Sequence, residues 1–168
     1  KIWMILGADD VRLRSDAASP DDREYFNAAV LLDSNGEVAT IYHKRKLVMF
    51  GEFVPATGWL PFLKHLTPIT GGFTPGEKPA EFSVPHQGQS VRLSPLICFE
   101  DVFPNETRPA VKTDTDLLVN LTNDGWFGES AAQWQQAAAA IFRAIENGRP
   151  LLRCCNNGLT CWVDAHGN

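Results

Sequence analysis

The chain has 168 residues, 44% of them hydrophobic, and a formal net charge of −5 at pH 7, which suffices for one sizeable core and argues against a disordered chain. No basic block is present, so a nucleic-acid partner has no electrostatic footprint. No apolar run reaches the length that spans a bilayer, and the four cysteines are too few and too unevenly spaced for a disulfide scaffold.

Residues 2–6 form an apolar run closed by Gly7 and read as a buried strand; residues 8–22 are polar, with Ser19, Pro20, Asp21 and Asp22 signalling a loop. Residues 27–32 and 38–42 are strand-like, and the Asn35-Gly36 pair between them favours a tight turn. His43-Lys44-Arg45-Lys46 follows at the end of the second of these strands. From residue 47 to 76 regular periodicity vanishes. Pro55, Pro61, Pro68 and Pro75 are interspersed with Trp59, Leu60, Phe62, Leu63 and Leu66, the composition of a long apolar loop of the kind that serves as a lid or binding arm.

After a short strand over 82–84 and a turn at His86-Gln87-Gly88, residues 91–97 read as a strand that breaks into Cys98-Phe99-Glu100-Asp101, with a short helix from Asn105. A cysteine at the C-terminal end of a strand, ahead of a helix, stands where open α/β sheets place their sites. Local chemistry supports two readings of Cys98 equally: a nucleophile, or the small buried hydrophobe that free cysteines commonly are. Residues 117–121 form the next strand, ending in Thr122-Asn123-Asp124-Gly125-Trp126-Phe127-Gly128. Ser130 caps a helix reaching Asn147, with Trp134, Ala138, Ile141 and Ile145 on one face, and Gly148 and Pro150 stop it. Residues 151–155 and 159–164 read as two strands joined by Asn156-Asn157-Gly158. The chain stops where a following strand is expected.

Lys44, Cys98 and the acids Glu52, Glu100 and Asp101 lie near predicted strand ends and suggest one site. An ammonium near a thiol favours the reactive thiolate and can stabilise an oxyanion on an attacked carbonyl. A carboxylate near the thiol can take its proton and later activate water or an amine. The set suits acyl transfer through a thioester. Against it, charge runs such as residues 43–46 are usually solvated turns, and Glu100 and Asp101 also suit the first turn of a helix. Cys154, Cys155, Cys161 and His166 match no zinc spacing, because adjacent cysteines on a strand point to opposite faces. Phosphate-cradling glycine motifs are absent.

Four segments together carry a resemblance: Tyr42-His43-Lys44-Arg45-Lys46 running on to Gly51-Glu52-Phe53-Val54-Pro55; Leu96-Ile97-Cys98-Phe99-Glu100; Asn123-Asp124-Gly125-Trp126-Phe127-Gly128; and Arg143 to Arg153 with Asn156-Asn157-Gly158. Over nearly its whole length the chain resembles the nitrilase-like carbon-nitrogen hydrolase superfamily and, within it, the catalytic domain of the apolipoprotein N-acyltransferase family. The lysine and the cysteine followed by an acid are shared across the superfamily; the Gly-Glu-Phe-Val-Pro and Asn-Asp-Gly-Trp-Phe-Gly segments narrow it to the acyltransferases.

The resemblance implies an α/β fold of α-β-β-α layers, two sheets face to face with outer helices, as a single domain over 1–168. It implies that Cys98 is the acylated nucleophile, Lys44 the oxyanion-stabilising lysine, and Glu52 and Glu100 supporting acids. Phe99, Trp126 and Trp59 would border the substrate, and residues 52–73 would form an apolar arm admitting lipid. The implied reaction moves a phospholipid acyl chain through a Cys98 thioester to the N-terminal amine of a lipidated lipoprotein cysteine, on the periplasmic side of a bacterial inner membrane, with no metal or organic cofactor. Departures accompany it. The family's general-base glutamate precedes the strand matched by residues 2–6, so no residue of this chain corresponds to it, and Asp9 and Asp10 fall on the other side of that strand. The flanking membrane helices are missing, Phe99 replaces a usual tyrosine, and Gln136 a usual histidine. The expectation is therefore a soluble, truncated and inactive piece. A soluble amidase of the superfamily and a non-catalytic binding fragment are the alternatives.

Overall fold

In the computed structural model, which describes residues 2–14, 16, 18–19, 22–54, 72–128 and 130–168, side-chain alternation builds two sheets that share one core. The first is a three-stranded antiparallel meander of β1 (Met4–Leu13), β2 (Arg23–Leu32) and β3 (Val38–His43). Strand β1 runs well past the expected stop at Gly7, pairing with β2 from Met4 opposite Leu32 to Leu13 opposite Arg23. Its second half is polar yet still strand, because the ladder to β2 satisfies its backbone whatever the side chains are. The predicted loop over 8–22 therefore shrinks to a short connection after Leu13. The Asn35-Gly36 turn forms as predicted: Gly36 takes φ +88°, and the Asp33 carboxylate accepts from the backbone N–H groups of Asn35 and Glu37 at 2.7 and 3.0 Å.

The second sheet has the order β4-β5-β6-β7-β8, formed by β4 (Phe82–His86), β5 (Gln89–Ile97), β6 (Leu117–Thr122), β7 (Leu151–Cys155) and β8 (Cys161–Val163). Its outer pairs are antiparallel, whereas β5, β6 and β7 run parallel, so their carboxyl ends emerge at one edge. Between the sheets, Ala29, Leu31 and Tyr42 from the first meet Phe82, Leu93, Ile97 and Val119 from the second in one buried cluster. Residues two apart share a strand face. Asn27 thus continues the row of Ala29 and Leu31, and Lys44 that of Tyr42, carrying polar groups from the core toward the edge where the parallel strands end.

Outside the second sheet lies α2 (Ala131–Asn147), capped by the Ser130 hydroxyl, which accepts from the N–H of Ala132. The short α1 (Pro104–Thr107) follows β5. Ala140 and Ala144 pack α2 onto Leu118, Leu151 and Val163. The face of α2 carrying Trp134, Ala138, Ile141 and Ile145 is not the one that docks: Trp134 is 65% exposed and Ile145 48%. Small alanines let the helix approach the sheet closely, and this outweighs the larger apolar stripe in choosing the buried side. The sandwich of two sheets with helices outside is the expected class, with α2 covering the five-stranded sheet and no helix covering the three-stranded one among the described residues. No helix among them is long and apolar enough to cross a membrane.

Candidate active site

A cleft of about 790 Å³ opens where the inter-sheet layer meets the carboxyl ends of the parallel strands. Cys98 follows β5, Asn123, Trp126 and Phe127 follow β6, and Asn156 follows β7; Lys44 and Glu52 reach in from beyond β3, and Asn27 and Asp9 from within the first sheet. The site thus occupies the crevice outside the strand ends that open α/β sheets favour.

Cys98 opens a 3-10 turn over Cys98–Val102 and adopts φ +51°, a left-handed conformation that non-glycine residues rarely take. Its carbonyl accepts from Asn120 Nδ2 at 3.0 Å, and Gln136 Nε2 lies 3.9 Å from its sulfur. Both amide residues are buried, and the side-chain oxygen of each has no partner among the described residues.

Lys44, 1% exposed, extends from a backbone anchored to Asn27 and directs its ammonium at Glu52, with Nζ 2.7 and 2.8 Å from the two carboxylate oxygens. The solvated-turn reading of residues 43–46 does not hold for Lys44, although Lys46 is exposed. Glu52 also accepts from Asn27 Nδ2 at 2.7 Å and from the Val48 N–H at 2.8 Å. A carboxylate with this many donors is committed to holding its partners. Glu52 therefore fits a supporting role, fixing the Lys44 ammonium at the cleft wall.

Glu100 does not line the cleft. Fully buried beneath it, its carboxylate accepts from the N–H groups of Ile97, Arg45 and Lys46 at 2.8, 2.7 and 3.1 Å and from the Tyr42 hydroxyl at 2.9 Å. Burial raises its pKa, opposed by the backbone donors. Tyr42 is likewise pushed up by burial and by the Glu100 charge. Glu100 thus ties the segment carrying Lys44 to the turn carrying Cys98 across 54 positions of sequence or more, a task set by geometry rather than by helix-dipole compensation.

Asp101, the other acid of the segment, joins a buried network. Arg153, with no exposed surface, donates to Asp101 at 2.7 Å and to Asp124 at 2.9 Å. Burial raises Asp101 to about 7, with Arg153 opposing and Asp124 adding to the rise. An acid raised in the folded state contributes stability that is fully present below its unfolded value, near 3.8, and is lost as pH rises through about 7. Urea midpoints are therefore expected to fall between pH 5 and 8 in the native chain relative to an Asp101→Asn variant. Parallel profiles for the two would contradict this.

Of the other expected site residues, Phe99 and Trp126 line the cleft, Trp126 being 77% exposed at its mouth, while Trp59 and residues 55–71 of the expected lipid arm lie outside the described residues. Cys154 and Cys155 both border the cleft, where β7 ends. Burial pushes the thiols of Cys154, Cys155 and Cys161 up, away from thiolate character. No metal-holding cluster of His, Cys, Asp and Glu is present among the described residues. Asp9 lies within β1, not after a strand ending at residue 6, and lines the cleft, whereas Asp10 bonds His43 at 2.7 Å. Sequence reasoning missed Asn27 and Asn120 as site residues; the available signal was, for Asn120, a lone amide within an apolar strand.

Residues 1–168 match the carbon-nitrogen hydrolase family. The chain is 41% identical over 145 residues to apolipoprotein N-acyltransferase of Geobacter metallireducens, covering 86% of this chain and 27% of that protein. To the proteins of the same name from Chlorobaculum tepidum and Rhizobium rhizogenes it is 38% and 35% identical, covering 92% and 98% of this chain and 30% of each of them. The chain thus spans less than a third of the length of these relatives. Among solved structures, an amidase from Nesterenkonia sp. AN1, with the acetamide moiety of fluoroacetamide added at its active site cysteine, superposes with a TM-score of 0.62 at 22% identity, over 99% of this chain and 55% of that one. That likeness concerns the fold.

Proposed function

This chain belongs to the carbon-nitrogen hydrolase family, and from that premise we propose that it is the catalytic portion of an N-acyltransferase acting at the bacterial inner membrane, on its periplasmic side. The donor is a phospholipid and the acceptor a lipoprotein with a lipidated N-terminal cysteine. Cys98 Sγ attacks the phospholipid ester carbonyl; the C–S bond forms, the C–O bond breaks, and the lysolipid alcohol leaves with a proton. The acceptor amine then attacks the thioester, forming the amide C–N bond, breaking C–S and returning a proton to sulfur. Lys44, held by Glu52, offers positive charge to the oxyanion of both steps.

The observation that carries this reading is a cysteine on a left-handed turn in one cleft with a buried, carboxylate-anchored lysine. The names of the apolipoprotein N-acyltransferase relatives support N-acyl transfer to a lipoprotein acceptor. Trp126 and Phe127, which line the cleft and leave 77% and 40% of their surface exposed, support a lipid donor.

Within residues 1–168 the described cleft-lining carboxylates are Glu52, engaged by Lys44, and Asp9. We propose that this chain by itself accepts an acyl group on Cys98 without sustained turnover. Intact-mass spectrometry after exposure to an activated acyl ester is expected to show one adduct, on Cys98, absent in Cys98→Ala. An adduct spread over the other cysteines would overturn the nucleophile assignment. Robust transfer to an amine, or hydrolysis, would overturn the lack of turnover and make Asp9 the first candidate base.

A further inference from the structure

The geometry points to Gln136 as a positioning residue for Cys98, holding its sulfur as thiolate through a side-chain amide donor. The assignment rests on the reading of Cys98 as nucleophile and adds a group from a different element, the helix that covers the outer face of the sheet. Gln136 faces inward from α2 and is 4% exposed. Its Nε2 lies 3.9 Å from Cys98 Sγ and 3.5 Å from Thr122 Oγ1, and its Oε1 is buried without a partner among the described residues. An amide buried among alanines on the docking face of a helix is costly unless its polar atoms are used. Here the donor end is used: it reaches the Cys98 sulfur and the Thr122 hydroxyl and also donates to the Asp101 carboxylate.

The chemistry suits both states of the nucleophile. An N–H donor stabilises the thiolate, and a half-turn of the amide plane presents Oε1 to the S–H of the protonated thiol. No other charge is introduced, so the attacking sulfur is held in place without being quenched by an ion pair. The charged and titratable groups around it are otherwise assigned. Asp9 approaches the cleft from the first sheet, Lys44 and Glu52 from beyond β3, and Cys154 and Cys155 from β7. Asp101, bound to Arg153, also accepts a side-chain hydrogen bond from Gln136, and Arg143 donates to the carbonyls of Asp101 and Val102.

The test follows the rate of Cys98 alkylation by iodoacetamide, read peptide by peptide so that Cys154, Cys155 and Cys161 are counted separately. At pH 7 the Gln136→Met variant, similar in shape and without an N–H donor, is expected to alkylate Cys98 about 3- to 10-fold more slowly than the native chain, with the difference vanishing near pH 10, where thiolate no longer needs stabilising. Gln136→His, whose ring N–H reaches the same region, is expected to restore most of the rate. Should Gln136→Met lose the native circular dichroism, Gln136→Asn, which withdraws the donor by one methylene, serves with the same expectation. A folded donor-deficient variant with an unchanged profile overturns the assignment, as does a loss equal at pH 7 and pH 10, which would mark a merely structural role. A native chain whose Cys98 reacts no faster at pH 7 than its other cysteines overturns the nucleophile reading itself.

Discussion

Arg153→Met is expected to cost about 3–5 kcal/mol of folding stability, the penalty for removing one partner from a buried ion pair. Typical domains have only about 5–15 kcal/mol in total, so the variant is expected to sit near its unfolding threshold. The reason lies in the three side chains. Arg153, Asp101 and Asp124 are all fully buried, and one guanidinium supplies hydrogen bonds to both acids. Without it Asp101 must stay protonated and Asp124 must lose its ion pair. Asp124 cannot retreat, because its carboxylate packs against Gly158, where any Cβ would collide with it, and accepts from the Cys155 thiol at 3.3 Å. Urea denaturation provides the measurement, and adding Asp101→Asn with Asp124→Asn to Arg153→Met should recover part of the loss. A cost below about 1 kcal/mol would show that the network tolerates an uncompensated charge and would contradict this account.

Glu52→Gln is expected to slow acylation of Cys98 by an activated ester by about 100-fold, the scale on which loss of a preorganised electrostatic group is felt. Glu52 does not touch the sulfur in this account; it directs the Lys44 ammonium, with both oxygens at 2.7–2.8 Å. The decisive measurement is the double variant. If Glu52 acts through Lys44, Glu52→Gln in a Lys44→Met background should add little further loss. Full additivity would mean that the two act independently and would remove Glu52 from its positioning role. Both residues are largely buried, Lys44 being 1% and Glu52 12% exposed at the side chain, so each variant also requires its own stability measurement.

The residues themselves determined the strand-to-turn break at Cys98, the Asn35-Gly36 hairpin, the capped helix from Ser130, and the family motifs around Lys44, Glu52 and Trp126. These are signals of local backbone preference or of residues clustered in sequence, which one strand or turn encodes by itself. Tertiary structure decided what such signals cannot carry. Strand β1 extends through polar residues because its partner strand, not its own composition, satisfies the backbone. Helix α2 docks on Ala140 and Ala144 because close approach to a sheet selects small side chains over the larger apolar stripe, and Gln136 and Arg143 are buried on the same side. Glu100 and Asp101 are neighbours in sequence with equal claims to act on Cys98, yet the fold buries both, one on backbone donors near Lys44 and the other on Arg153. Long-range packing alone brings Asn120 and Gln136 to Cys98 and lines the same cleft with Asn27 and Lys44, since no local pattern records which residues meet across two sheets and a helix.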